Sequence, residues 1–262
     1  MMPIKVVVNG ALGRMGREVL SAVCRETDLR LVGAVEVAAA AELELPDKSG
    51  SIPFSSDLAT IITSCQPDVV VDFTTRDVAI STARLCLENG VSVVIGTTGL
   101  TGEEISEINR LAQSHKAGAV VAPNFAIGAV LMMHMAKLAA RYFDYAEIIE
   151  LHHNLKIDAP SGTALMTARL MSEARGRPFE HPGGDKSLPS RGGEVSGISM
   201  HSVRLPGLVA HQEVLLGGLG QTLCIRHDSI SRESFMPGVV LAIREVVKRP
   251  GLVNNLDTLL GL

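Results

Sequence analysis

Aromatic side chains are scarce in this sequence of 262 residues, which has no tryptophan and only 3% aromatic residues in total. Proteins that bind single-stranded nucleic acid stack the bases on aromatic rings, so this composition argues against that class. The sequence also has no basic run, and its formal net charge is -4. We therefore expect no general affinity for nucleic-acid backbones or for anionic membranes.

Cysteine motifs and long apolar runs are also missing. None of the four cysteines stands in a CxxC or CxxH spacing, so no metal site is expected. Cys24, Cys65 and Cys86 lie in or beside apolar segments and are interpreted as core residues of a protein from a reducing compartment. The sequence opens on a strand-like run, without the basic segment and long apolar stretch of a signal peptide. We expect no transmembrane segment and a cytoplasmic location.

A glycine-rich segment follows the first strand-like run, residues 4–8. Gly10, Gly13 and Gly16 stand three residues apart, and apolar residues then recur at helical spacing. A strand, a glycine turn and a helix are typical of dinucleotide binding, because the glycines let the backbone approach a pyrophosphate at the helix N-terminus. Glu36 ends a second strand-like run 20 residues after Gly16, the distance at which an acidic residue contacts the ribose. The alternative is an ordinary turn with Glu36 in solvent.

Strand-like runs continue to alternate with helical patterns in the first half of the chain. Those runs are residues 69–73, 91–95 and 119–121. The alternation predicts a doubly wound, Rossmann-like parallel sheet, in which ligands bind at the carboxyl ends of the strands. Gly96-Thr97-Thr98 and Pro123-Asn124-Phe125 follow two of the strands and are candidate binding turns. Residues 37–56, which contain Pro46, Gly50 and Pro53, are expected to be irregular.

The second half of the chain has a different pattern of predicted helices and strands. A Met-rich apolar helix is predicted at residues 127–142, as core or as a hinge-side packing helix. Residues 176–193 hold five glycines and three prolines, which indicates a mobile loop, either a lid or a disordered excursion. The next strand-like runs, separated by glycine turns, are residues 195–205, 208–216 and 221–227. They predict an antiparallel or mixed sheet, followed by a helix over residues 233–248.

This organisation suggests two domains, which a chain of 262 residues can support. We expect a dinucleotide-binding domain from residues 1–123 and 232–262. An α+β domain for substrate binding and oligomerisation is expected from residues 124–231.

Polar groups are concentrated between a strand-like run at residues 146–151 and a helical pattern at residues 164–174. Two histidines, a lysine and an aspartate lie within the seven residues from His152 to Asp158. Ser161 then opens a Ser-Gly-Thr turn whose backbone N–H groups, at a helix N-terminus, can bind an anion. A solvated basic loop capped by Ser161 is the alternative interpretation.

Together these motifs resemble the dihydrodipicolinate reductase family over the length of the chain. The segment from Glu150 to Thr163, which contains HHxxKxDAPSGTA, carries most of this resemblance. Family members reduce a cyclic imine dicarboxylate with NADH or NADPH and commonly form homotetramers through the sheet of the second domain. The resemblance implies that His152 donates or relays a proton and that Lys156 is the second proton donor.

The resemblance also implies two sets of binding residues. The substrate would contact His153, Ser161, Gly162 and Thr163. The cofactor would contact Gly10, Ala11, Leu12, Gly13, Arg14, Met15, Glu36, Gly96, Thr97, Thr98, Ala122, Pro123, Asn124 and Phe125.

One departure from the family pattern concerns cofactor choice. Some members carry an arginine directly after the acidic residue, where it pairs with the 2′-phosphate of NADPH. Here Val37 follows Glu36, and residues 38–41 carry no charge. We therefore expect NADH to be favoured over NADPH, unless Arg14 or Lys48 supplies the cation.

Two other functions compete with a reductase. A non-catalytic protein that senses dinucleotides would have a degenerate second site, whereas the motif from His152 to Thr163 is complete. A metal-dependent hydrolase would use His152, His153 and Asp158. Adjacent side chains on an extended chain point to opposite sides, which is a poor arrangement for one metal ion.

Overall fold

The computed structural model describes residues 2–38, 40–181 and 190–262. The chain divides into two compact units. The first runs to Phe125 and resumes with Phe235–Leu262, and the second is Ala126–Ser234. The predicted domain boundaries, after residues 123 and 231, lie slightly earlier in the chain.

The elements are numbered along the chain. The strands are β1 (Ile4–Asn9), β2 (Leu29–Val35), β3 (Glu42–Glu44), β4 (Ser51–Ser55), β5 (Val69–Asp72), β6 (Ser92–Ile95), β7 (Gly118–Val121), β8 (Tyr145–His152), β9 (Gly193–Val195), β10 (Ile198–Arg204), β11 (Ala210–Gly218), β12 (Gln221–Ser229) and β13 (Gly251–Asn254). The α-helices are α1 (Arg14–Arg25), α2 (Leu58–Cys65), α3 (Arg76–Glu88), α4 (Gly102–Ser114), α5 (Ile127–Ala139), α6 (Gly162–Arg175), α7 (Met236–Val246) and α8 (Leu256–Leu260). None of the helices in the described ranges is both long enough and apolar enough to cross a membrane.

The first unit is built on an eight-stranded sheet in the order β13-β7-β6-β5-β1-β2-β4-β3. Neighbouring strands run parallel except for β3 and β4. β5, β6 and β7 are buried at every position, as expected of parallel strands that are covered on both faces. The predicted doubly wound α/β fold is confirmed. α7 belongs to this unit and packs on β5, β6 and β7.

One expectation about this unit is wrong. The sequence predicts an irregular segment at residues 37–56, but β3 and β4 form an antiparallel hairpin there, at the edge of the sheet. Ile52 and Phe54 are buried and alternate with exposed neighbours, a strand pattern that the prolines obscured. Pro53 is tolerated within β4 because the pairing of this strand with β2 is confined to Phe54 and Ser55.

The second unit holds a five-stranded sheet in the order β12-β11-β8-β10-β9, with β8 at its centre. β11 and β12 form the predicted antiparallel hairpin. β10 does not pair with β11, because β8 lies between them and runs parallel to β10. The sheet is therefore mixed, which is one of the two forms expected.

One face of this sheet packs against α5 and α6. Its core includes Ile148 on β8, Val214 on β11 and Met171 on α6. The predicted apolar helix at residues 127–142 is present as α5, which ends at Ala139 and continues as a 3-10 turn, Ala140–Tyr142. The predicted loop at 176–193 falls partly on residues 182–189, which lie outside the described residues.

Candidate functional site

The glycine turn of the first unit connects the end of β1 to α1. Gly10 has a φ of +77°, a conformation that favours glycine. A Cβ on Gly16 would lie 2.0 Å from the carbonyl oxygen of Gly10, so only glycine allows the helix to pack this closely on the turn. The N-cap residue, Gly13, offers no side chain to the first N–H groups of α1. Such an uncapped helix N-terminus, approached by bare backbone, fits a pyrophosphate.

Glu36 contacts this turn directly. One carboxylate oxygen accepts from the backbone N–H of Leu12 at 3.1 Å, and the other accepts from the N–H of Val37 at 3.0 Å. The structure thus brings together two predicted cofactor residues, Leu12 and Glu36. Glu36 is half-buried and bonded to the turn, so its side chain does not extend freely into solvent.

The candidate turns after β6 and β7 lie at the same edge of the sheet as the glycine turn, since all these strands run parallel. Gly96 passes so close to the ring of Phe73 that a Cβ would lie 1.9 Å from it. Phe125 is buried and meets Phe73 edge to face, with ring centroids 5.7 Å apart. The side chain of Phe125 is therefore part of the core, so this residue has only its backbone available for a ligand.

A buried polar network supports this edge, and the sequence analysis did not identify it. Asp72, at the end of β5, is fully buried, and its carboxylate accepts from the side-chain amide of Asn9 at 2.8 Å. It also accepts from the N–H and the hydroxyl of Thr74, at 2.9 and 2.6 Å. The carbonyl of Thr74 in turn accepts from the hydroxyl of Thr97 at 3.2 Å. The signal in the sequence was a polar residue, Asn9 or Asp72, at the end of the apolar strands β1 and β5.

The end of β8 carries the main candidate residues of the second unit. Glu150 and His152 are two residues apart on a strand, so they face the same side of the sheet. Glu150 is fully buried, and its carboxylate lies 2.5 Å from Nδ1 of His152. Burial by itself would raise the pKa of Glu150, but hydrogen bonds from His152, Arg204 and Ser202 outweigh it and hold the pKa at about 2. Because an ionised carboxylate only accepts, Nδ1 of His152 is the donor.

Arg204, at the end of β10, completes this cluster. Its Nη1 and Nη2 lie 3.0 and 2.8 Å from the two oxygens of Glu150, which is the bidentate geometry of a strong arginine–carboxylate pair. Nη2 also donates to the backbone carbonyl of Asp158 at 2.6 Å. Sequence reasoning missed this residue, because only the pairing of β10 with β8 brings it beside His152.

Lys156 lies in the loop after β8. Its Nζ donates to both carboxylate oxygens of Asp158, at 2.8 and 2.7 Å. The ammonium group of Lys156 holds the pKa of Asp158 below its ordinary value. The backbone N–H of Lys156 donates to the carbonyl of His153 at 3.1 Å, which closes a turn around the half-buried His153.

The Ser-Gly-Thr turn opens α6. Ser161 is buried and caps the helix, accepting from the N–H of Ala164 at 3.2 Å. The space around Gly162 is open, since an added Cβ would meet nothing within 4 Å. Behind the turn, Thr167 donates to the carbonyl of Thr163 at 2.7 Å, and Gln212 of β11 donates to Thr167 at 2.8 Å. The turn is thus held from the sheet side and open on the other.

Among the residues that the structure describes, no group of three or more histidine, cysteine, aspartate or glutamate side chains is arranged to hold a metal ion. His152 directs one ring nitrogen at Glu150 and has Arg204 as its neighbour on β10. Nothing in this geometry favours the metal-dependent hydrolase.

The comparisons with known proteins agree with the motifs. The family model "Dihydrodipicolinate reductase, N-terminus" matches residues 4–125, and "Dihydrodipicolinate reductase, C-terminus" matches residues 128–260. The chain belongs to the dihydrodipicolinate reductase family. The resemblance drawn from the sequence is confirmed.

Individual relatives of this reductase family match over the full length. A 4-hydroxy-tetrahydrodipicolinate reductase of Dehalococcoides mccartyi is 53% identical over 263 residues, which cover 100% of both chains. A protein of the same name from Moorella thermoacetica is 50% identical, with 98% of each chain covered. The dipicolinate-bound dihydrodipicolinate reductase of Paenisporosarcina sp. TG-14 has a TM-score of 0.87 at 43% identity, over 98% of this chain and 99% of that one. The chain is accordingly an NAD(P)H-dependent oxidoreductase.

Proposed function

We propose that this chain reduces 4-hydroxy-tetrahydrodipicolinate to tetrahydrodipicolinate with NAD(P)H, a step of lysine and diaminopimelate biosynthesis in the cytoplasm. The observation that carries this proposal is the arrangement around β8. His152 and Lys156 each have an acidic partner, at 2.5 and 2.7 Å, and an anion-binding turn opens the next helix. The non-catalytic sensor would need none of these features.

The proton chemistry follows from this geometry. The nicotinamide cofactor supplies a hydride, and the ring that receives it must gain a proton elsewhere. Because Nδ1 of His152 faces Glu150, Nε2 is the nitrogen that exchanges a proton with the substrate. Lys156 is the second donor, and Asp158 holds its ammonium group in place through two hydrogen bonds.

The two carboxylates of the substrate define the binding residues. The first turn of α6, at Ser161, Gly162 and Thr163, presents backbone N–H groups at the positive end of a helix. Ser161 already caps Ala164, so it supports the turn, while Gly162 gives a carboxylate room to approach. We place His153 beside the same substrate, as the family resemblance implies.

For the cofactor, we assign the pyrophosphate to the glycine turn and the adenine ribose to Glu36. We further propose that NADH is favoured. Both oxygens of Glu36 accept backbone N–H groups, which opposes a swing of the side chain away from a 2′-phosphate. Val37 is 91% exposed and offers no cation to offset the repulsion.

We also propose a homotetramer that associates through the sheet of the second unit. α5 and α6 pack on one face of this sheet. The opposite face carries a group of half-buried apolar side chains, namely Ile149, Leu151, Val203 and Leu215. Association would remove this apolar surface from water.

The decisive experiment is NADH oxidation by the purified chain. We expect turnover that depends on freshly prepared 4-hydroxy-tetrahydrodipicolinate and that dipicolinate inhibits. Binding of NADH without any turnover would overturn the reductase and favour the sensor. Sedimentation or light scattering of the same sample tests the tetramer independently of activity.

A further inference from the structure

The most heavily buried charge near the candidate site is Glu150. Its carboxylate is 0% exposed on the helix-facing side of β8. An ionised group in such a place is costly unless it is fully paired. The groups that face it from neighbouring strands are Ser202 on β10 and Gln212 on β11, which stand opposite Glu150 in the sheet. Both are neutral, so Arg204 supplies the compensating charge and His152 a further hydrogen bond.

The carboxylate of Glu150 contacts His152 as well as Arg204. The two hydrogen bonds from Arg204 already satisfy the fork geometry of a buried arginine–glutamate pair. The same carboxylate also accepts from Nδ1 of His152. Glu150 therefore serves the histidine as well as the fold.

The same guanidinium reaches the loop that carries Lys156. Nη2 of Arg204 donates to the carbonyl oxygen of Asp158 at 2.6 Å, which fixes the backbone of that residue. The side chain of Asp158 then holds Nζ of Lys156 at 2.7 Å. Hydrogen bonds thus connect His152 through Glu150 and Arg204 to the backbone of Asp158, and the side chain of Asp158 connects in turn to Lys156.

We propose that Glu150 and Arg204 are positioning residues that set His152 and Lys156 as a pair. Glu150 fixes the ring orientation of His152 and keeps its proton on Nδ1, so that Nε2 faces the substrate. Arg204 locks the loop so that the ammonium group of Lys156 keeps its place relative to that imidazole. This inference rests on the proposed proton roles of His152 and Lys156.

The first arm of the test uses the unmodified protein. ¹⁵N NMR of the His152 ring, assigned by comparison with His152→Gln, reports which nitrogen carries the proton in the neutral form. We expect Nδ1–H, because Glu150 is an obligate acceptor. A proton on Nε2 would overturn the proposal, and this arm remains readable even if the chain proves to lack reductase activity.

The second arm uses Glu150→Gln, which keeps the shape of the side chain but removes its charge. We expect kcat to fall on the order of 10²-fold, the scale of a misplaced catalytic group, with NADH affinity unchanged. The loss should fall on kcat rather than on KM, because Glu150 acts through His152. An unchanged kcat would refute the positioning role.

The third arm separates positioning from stability. Arg204→Lys keeps the positive charge but loses the bidentate contact with Glu150. It should therefore lower kcat more than it weakens the binding of dipicolinate. Arg84→Lys is the matched control, because Arg84 makes a bidentate pair with Glu107 at 2.8 Å on the surface of the other unit. We expect the control to retain full activity. If the kcat of Arg204→Lys falls only in proportion to the loss of folded protein, Arg204 is a structural residue and the proposal fails.

Discussion

Nζ of Lys156 lies 2.8 and 2.7 Å from the two carboxylate oxygens of Asp158, a residue in the same loop. This pair fixes the position of the ammonium group that we propose as a proton donor. Lys156→Ala should therefore reduce kcat on the order of 10²-fold or more, the scale of general acid catalysis. NADH affinity should persist, because the proposed cofactor residues lie in the first unit. Steady-state kinetics together with NADH titration test this, and a near-normal kcat would contradict the assignment.

Substitutions of the two adjacent histidines should have different effects on kcat and KM. His152 has its Nδ1 fixed by Glu150, whereas His153 lies beyond the end of β8. We expect His152→Gln to lower kcat and His153→Gln mainly to raise KM for the imine substrate. Identical changes in both variants would show that this division of roles is wrong.

Thr163 should contribute to dicarboxylate binding at the first turn of α6. Thr163→Val removes the hydroxyl and roughly keeps the shape of the side chain. Dipicolinate affinity, measured by calorimetry, should weaken by about 1–3 kcal/mol, the scale of a lost hydrogen bond to a charged group. Thr167→Val is a useful comparison, because Thr167 supports the turn only from behind. Undiminished affinity in Thr163→Val would exclude a role for that hydroxyl.

Stability should depend on pH through Glu150. Its folded-state pKa of about 2 lies below the ordinary value of 4.5, so its contribution is fully present above pH 4.5. That contribution is lost as pH falls through the window towards about 2. At neutral pH, Glu150→Gln should lower Tm by about 3–10 °C, since an unmade hydrogen bond to a charged group costs roughly 1.5–3 kcal/mol. The difference between the proteins should shrink in acid, and a constant gap in Tm from pH 7 to 3 would contradict this linkage.

The sequence predicted features that depend on neighbouring residues. The glycine turn and its acidic residue, the capped start of α6 and the β11–β12 hairpin all have local signatures. β8 also alternates in the sequence, with Ala146, Ile148 and Glu150 on its buried side, so an inward-facing charge was detectable. The residue that pairs with Glu150 could not be predicted from that pattern.

The features that escaped prediction depend on contacts between distant parts of the chain. Arg204 reaches Glu150 across 54 positions, and only the parallel register of β10 and β8 brings the two together. Asn9 and Asp72 are separated by 63 positions and meet because β1 and β5 are neighbours. β13 begins at Gly251, soon after the predicted helix, and it pairs with β7, which stands far earlier in the chain at residues 118–121. Local propensity carries no information about such pairings.

Cofactor choice gives the sharpest remaining prediction, since it depends on the charge around Glu36. The N–H groups of Leu12 and Val37 hold both carboxylate oxygens, so a 2′-phosphate would meet a fixed anion. We expect kcat/KM for NADH to equal or exceed that for NADPH at low salt. The ratio should fall at physiological salt, because screening weakens repulsion near a surface.

Val37→Arg should reverse this preference. Val37 is 91% exposed, so an arginine there disturbs no packing and restores the cation that some family members carry. An added cation about 4 Å from the phosphate is worth roughly 1–4 kcal/mol, so kcat/KM for NADPH should rise about fivefold or more. Val37→Ala is the matched neutral control and should leave the ratio unchanged. If the unmodified protein instead prefers NADPH in both buffers, the argument from Glu36 is wrong. In that case Arg14→Ala would show whether the glycine turn supplies the missing cation.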